Sequence, residues 1–194
     1  MTALGELASG VMSHIGDRLD APDAEHSGRR SCRLPVRHDA RVRVSAKVDY
    51  ALRAATELAA VDDPSVPMKA EAIARAQDIP VKFLENILQS LRHAGIVQSK
   101  RGPDGGHLLA RPAKDIALAD VIRAIDGPLA GVSGQSPDQL EFIGAAEPLR
   151  DVWIAVRANL RAVLERTTLA DVAAGKLPKP VVKLTSDPDA WERR

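Results

Sequence analysis

The sequence predicts a mainly α chain with a small β-hairpin, a compact helical body followed by a long terminal helix. Three observations carry that prediction. Apolar residues recur three and four apart in several segments after residue 44, the spacing of one helix face. The stretch "SKRGPDGGHLLARP", Ser99 to Pro112, reads instead as two short extended runs around a glycine-rich turn. Of the 194 residues 45% are apolar but only 3% aromatic, so the core must be built from Leu, Ile, Val and Ala.

The elements follow in order. Residues 1–43 are polar, with both charge signs and little periodicity, and are expected to be a disordered or misassigned N-terminal extension. Within them Leu4, Leu7, Val11, Ile15 and Leu19 fall at the spacing of a short amphipathic helix. Arg29, Arg30, Arg33, Arg37, Arg41 and Arg43 would suit a basic arm. Order begins at "SAKVDYALRAATELAAV", where Ser45 is a helix cap and Val48, Leu52, Ala55 and Leu58 form an apolar face. "DDPSVP" breaks the chain.

Next come a short helix, Lys69 to Ala76, a tight turn at Gln77-Asp78-Ile79, and a second helix from Pro80 to His93. Pro80 suits a first turn, where its missing N–H costs nothing. Asp78 tolerates the left-handed conformation that such a turn needs, and Gly95 stops the second helix. Ala72, Ile73 and Ala76 are expected to face Leu84, Ile87, Leu88 and Leu91. Two crossing helices around a three-residue turn are a helix-turn-helix. The hairpin, strands Ile96–Lys100 and His107–Ala110 around Pro103-Asp104-Gly105-Gly106, makes it a winged helix over residues 44–112.

A linking helix, Leu118 to Asp126, ends at Gly127-Pro128 and leads into a Gly-, Ser- and Pro-rich loop, the segment 113–146. The longest helical pattern spans 147–175: Leu149, Val156 and Val163 repeat every seven residues, with Val152, Trp153 and Leu160 between, an apolar seam for pairing two helices. Residues 176–194 are expected to be an irregular tail.

Composition narrows the function. The net charge of +1 neither demands nor excludes nucleic acid, so basic character must be local. A single cysteine, Cys32, rules out an intrachain disulfide and any multi-cysteine metal site, which points to a reducing, cytoplasmic setting. No run approaches the roughly 18 apolar residues of a membrane span. There is no phosphate-cradling glycine loop, no Ser/His/Asp order and no zinc spacing; His93 and His107 lack partners at ligand spacing. An enzyme is not expected, nor a metal or cofactor.

What remains is a surface for a duplex. On the second helix of the motif Lys82, Glu85, Asn86 and Gln89 point away from the apolar face. Asn and Gln can pair with adenine in the major groove, Glu can accept from cytosine, and Lys can reach guanine or phosphate. The same residues also suit a plain solvated face. Lys100, Arg101 and Gly102 stand at the wing tip, where a guanidinium enters a narrow minor groove. Ser45 and Lys47 open the first helix, either as a phosphate clamp or as an ordinary cap. Tyr50 and Trp153 read as packing residues.

The stretches "VSAKVDYALRA", "IARAQDIPVKFLENILQSLRHAGIV", "SKRGPDGGHLLARP" and "ADVIRAIDGPL" resemble the Rrf2 family of bacterial transcription regulators, which includes IscR, NsrR and CymR, over about Val44 to Gly175. The resemblance implies a homodimer that reads an inverted repeat in double-stranded DNA. It places Ser45 and Lys47 on phosphate; Lys82, Glu85 and Asn86 near the bases; and Arg101 and Gly102 in the minor groove, while Phe83, Gln89 and Lys100 complete the expected DNA-binding set. Leu149, Val152, Trp153, Val156, Leu160 and Val163 would form the dimer interface. Phe83 stands where many relatives have tyrosine, and Val48 where many have glycine. The main departure is the loop "PLAGVSGQSPDQLEFIGAAEP": cluster-binding relatives carry three cysteines there, and this chain has none. An iron–sulfur cluster needs several thiolates, so the resemblance implies a cluster-free member with an unknown effector. The alternative is a winged-helix interaction module that has lost DNA.

Overall fold

The computed structural model describes residues 44–129, 131 and 135–192. The expected helix, arm and extension at residues 1–43 lie outside the described residues.

Helix α1, Ala46–Ala59, starts where the Ser45 hydroxyl accepts a hydrogen bond from the Val48 amide at 3.1 Å. Its buried face is Val48, Ala51, Ala54, Ala55 and Leu58, three of the five being alanines. Leu52 is only half-buried, so the apolar stripe is rotated from the expected one. Alanines let neighbouring helices approach closely, and α1 is the centre against which the rest packs.

Helices α2, Ala70–Gln77, and α3, Val81–His93, form the expected pair. Asp78 joins them at φ 50°, ψ 52°, the left-handed conformation anticipated for it. Pro80 caps α3 rather than lying inside its first turn. Leu84, Ile87, Leu88 and Leu91 are fully buried, as their spacing demands. On α2 Ile73 is buried as expected, but Ala72 and Ala76 are exposed and Ala74 is buried instead. The buried stripe of this short helix is Ile73 and its neighbour Ala74, rotated from the expected one.

The hairpin pairs β1, Val97–Lys100, with β2, Gly106–Leu109, antiparallel, from Val97 opposite Leu109 to Lys100 opposite Gly106. The turn closes through the Gly105 amide donating to the Gly102 carbonyl at 2.9 Å, with Pro103 and Asp104 between. A one-residue third strand, absent from the sequence reading, completes the wing: Met68 and His107 exchange both backbone hydrogen bonds, at 2.9 and 2.8 Å. This contact explains Gly106. A Cβ there would lie 2.5 Å from the Met68 carbonyl oxygen, so only glycine admits the segment between α1 and α2.

Helix α4, Leu118–Asp126, has the predicted ends, with Gly127 at φ 84°. The long helical pattern, however, is two helices. Helix α5, Leu149–Leu164, stops before Thr167, and α6, Leu169–Ala173, starts afresh. Thr168 caps α6 with a reciprocal box: its hydroxyl accepts from the Asp171 amide, and the Asp171 carboxylate accepts from the Thr168 amide. Thr168 also bridges to Ala117, which seats the fully buried Leu169 in the core beside α1. The tail is not irregular either. Helix α7, Lys179–Thr185, follows Pro178, and the Trp191 indole N–H donates to the Thr185 carbonyl at 2.8 Å, closing its C-terminal end.

Candidate nucleic-acid interface

The core orients one exposed surface. Burying Leu84, Ile87, Leu88 and Leu91 turns Lys82, Glu85, Asn86 and Gln89 outward, all four exposed. Lys82 sits in the first turn of α3, and neither it nor Glu85 makes an ion pair with any described residue. The Asn86 amide donates to the Lys82 carbonyl at 3.3 Å, a long bond that leaves its side-chain oxygen free to accept. Glu85 lies on one flank of this face and Phe83 on the other. Phe83 is 45% exposed and meets the Tyr50 ring edge-on, centroids 5.8 Å apart at 83°.

Tyr50 is itself held. Arg53 lies over its ring at 5.4 Å from the centroid. The Arg53 guanidinium donates to Asp49 at 3.2 Å and to Gln77 at 3.3 Å, and Gln77 donates to Glu57 at 2.6 Å. This chain ties α1 to the end of α2, next to the turn that aims α3. Sequence reasoning did not find it; the signal available was the carboxylates Asp49 and Glu57 four residues either side of Arg53.

At the wing, Lys100, Arg101 and Gly102 are exposed, with Gly102 at φ 109°, and neither cation pairs with a described residue. Gly105 is where the turn folds closest on itself: a Cβ would lie 2.3 Å from the Lys100 carbonyl oxygen. His107 braces the base of the wing. Its Nδ1 is 3.2 Å from the Ser99 hydroxyl. Burial, reinforced by the positive Arg92 and opposed by Glu71, holds its imidazole below the ordinary value of 6.5. Ser45 and Lys47 are half-buried at the start of α1, and the Ser45 hydroxyl is occupied by its capping bond.

The second expected surface is α5. Leu149 and Val152 are exposed, Trp153, Val156, Leu160 and Val163 half-buried, and no residue of this helix is fully buried within one chain. The loop before it is fastened to it: Arg157 donates to both Ser136 and Asp138 at 2.6 Å, with the fully buried Pro137 between. The Ser136 hydroxyl and then Arg157 hold the Asp138 carboxyl at about 2, well below the usual range. Among the described residues no cluster of His, Cys, Asp and Glu is arranged to hold a metal ion, and no helix is long and apolar enough to cross a membrane.

Comparison with known proteins bears on this surface. Residues 44–175 match the Rrf2 family, described as an iron-dependent transcriptional regulator. A putative HTH-type transcriptional regulator of Mycobacterium tuberculosis, Rv1287, is 48% identical over 151 residues, covering 78% of this chain and 93% of that protein. The HTH-type transcriptional regulator CymR of Bacillus subtilis is 33% identical, covering 69% and 91%. The solved structure of that CymR, described as the global cysteine regulator, superposes with a TM-score of 0.59 at 32% identity over 69% of this chain and 97% of that one. The structure of an IscR from T. potens gives 0.54 at 30% identity over 78% and 93%. With its winged helix-turn-helix and these relatives, the chain belongs to the Rrf2 family and is a transcriptional regulator rather than an enzyme.

Proposed function

We propose that the protein is a homodimeric, sequence-specific regulator that reads double-stranded DNA without an iron–sulfur cluster. The observation that carries this reading is the exposure of the outer face of α3 together with that of the wing tip. These segments carry exposed side chains suited to base edges and cations that pair with no described residue. In the proposed complex Lys82, Phe83, Glu85, Asn86 and Gln89 face the major groove, and Lys100, Arg101 and Gly102 enter the minor groove. Ser45 and Lys47 meet phosphate through the α1 N-terminus. Two chains pair through Leu149, Val152, Trp153, Val156, Leu160 and Val163.

The absence of a cluster rests on ligand chemistry. The chain holds one cysteine, Cys32, and none in the loop before α5. Arg157 of α5 instead fastens that loop through Ser136 and Asp138.

Selection of bound genomic fragments by the purified protein tests the reading directly. A preferred sequence with two-fold symmetry is expected, its affinity falling by orders of magnitude between low and physiological salt as several phosphate contacts release counterions. Arg101→Ala should weaken binding roughly tenfold. Salt-insensitive capture of a protein, with no preferred sequence, would favour an interaction module instead.

A further inference from the structure

We propose that Phe83 is a specificity determinant that reads the C5-methyl group of thymine in the major groove. This rests on the DNA-binding reading above and adds to it one base preference and the residue responsible.

The argument begins with an oddity of exposure. Phe83 is 45% exposed on a helix whose other apolar residues past the first are completely buried. It is one of only two phenylalanines in the chain. A ring left in water on a mobile side chain would be unremarkable, but this one is braced. Tyr50 meets it edge-on at 5.8 Å, and Tyr50 lies under Arg53, which Asp49 and Gln77 hold in turn. Four residues from two other helices therefore fix an aromatic ring in one orientation while leaving nearly half of it uncovered. Bracing lowers the entropy lost when a partner covers the rest.

The partner's chemistry follows from what the ring cannot do. Phenylalanine has no donor or acceptor, so it recognises neither a phosphate oxygen nor a polar base edge. It stands in the first turn of α3, next to Lys82 and one turn before Asn86, and the first residues of a recognition helix are those that approach the bases. Major-groove base edges carry donors and acceptors throughout, with one apolar feature, the thymine methyl. A ring fixed on the flank of a polar reading face matches that feature and no other part of the groove.

The test uses the full-length protein and the site it selects. Each thymine of the site is replaced in turn by deoxyuridine, which removes one methyl and preserves every hydrogen bond. At one thymine per half-site the affinity should fall roughly fourfold, the scale of one buried methyl. Phe83→Ala should bind the thymine and uracil sites equally, and Phe83→Leu should retain part of the preference. Circular dichroism and thermal melting establish that both variants fold. Equal binding of all uracil-substituted sites by the unaltered protein overturns the assignment and leaves DNA recognition standing. A penalty that persists unchanged in Phe83→Ala overturns it too, by giving the methyl to another residue. Failure to select any site would remove the DNA-binding reading and this inference with it.

Discussion

At the scale of single residues, His107 shows how a position can serve structure and still respond to solution conditions. It contributes both backbone bonds to Met68 and its ring to Ser99 at the wing's base. Its proton affinity is lowered in the fold, first by burial and then by Arg92. Below the ordinary value of 6.5 the unfolded chain therefore takes up a proton before the folded chain does, and stability declines as pH falls from there toward the lower folded value. His107→Gln should flatten this part of the stability curve, read as urea midpoints at pH 7.5, 6 and 5. A slope unchanged by the substitution would show that other groups set it.

Individual residues also differ in how far they could be read in advance. Asp78 was legible because few non-glycine residues accept a left-handed turn, and the chain needed one there. Gly106 was not. Its role depends on Met68, thirty-eight positions earlier, and no local pattern reports that approach. The outward set on α3 followed from period alone, since fixing four inward residues fixes the rest. The clasp on Tyr50 did not follow, because Gln77 and Arg53 meet only after α2 packs on α1.

At the scale of elements, the correction at Thr167–Thr168 is instructive. Helix-forming residues run on past Leu164, so the pattern predicts one helix over 147–175. A Thr-x-x-Asp box interrupts it, and that signal was present in "TTLAD". Capping won because it places Leu169 in the core, a burial that a continued α5 would forfeit. Thr168→Ala should cost about 1 kcal/mol through loss of the cap, measured by denaturant unfolding; Thr168→Ser should recover most of it. The tail was misread for the opposite reason. Pro178 and Pro180 look like breakers, yet at the start of α7 they lack only N–H groups that a helix leaves unused.

At the scale of the whole molecule, α5 remains the element a single chain does not satisfy. Its apolar seam has no fully buried member, whereas α1 and α3 each bury four or five. Pairing two copies along Val156 and Leu160 would cover it. Leu160→Glu should then shift sedimentation toward the monomer and abolish high-affinity binding to a symmetric site, while half-site binding survives weakly. A variant that sediments unchanged would move the dimer elsewhere.

The two ends of α5 are attached to the rest of the chain very differently. At its far end, Glu165 pairs with Arg123 of α4 and with Arg161, and Thr168 and Leu169 join the body within a few residues. On the other side the chain arrives through the loop before α5, which Arg157, midway along the helix, holds at Ser136 and Asp138. A rod bolted at one end and tethered at the other acts as a lever. In the proposed dimer, whatever tilts α5 against its twin would carry the proposed reading heads along, so the distance between two half-sites would be set by the angle at which the rods cross.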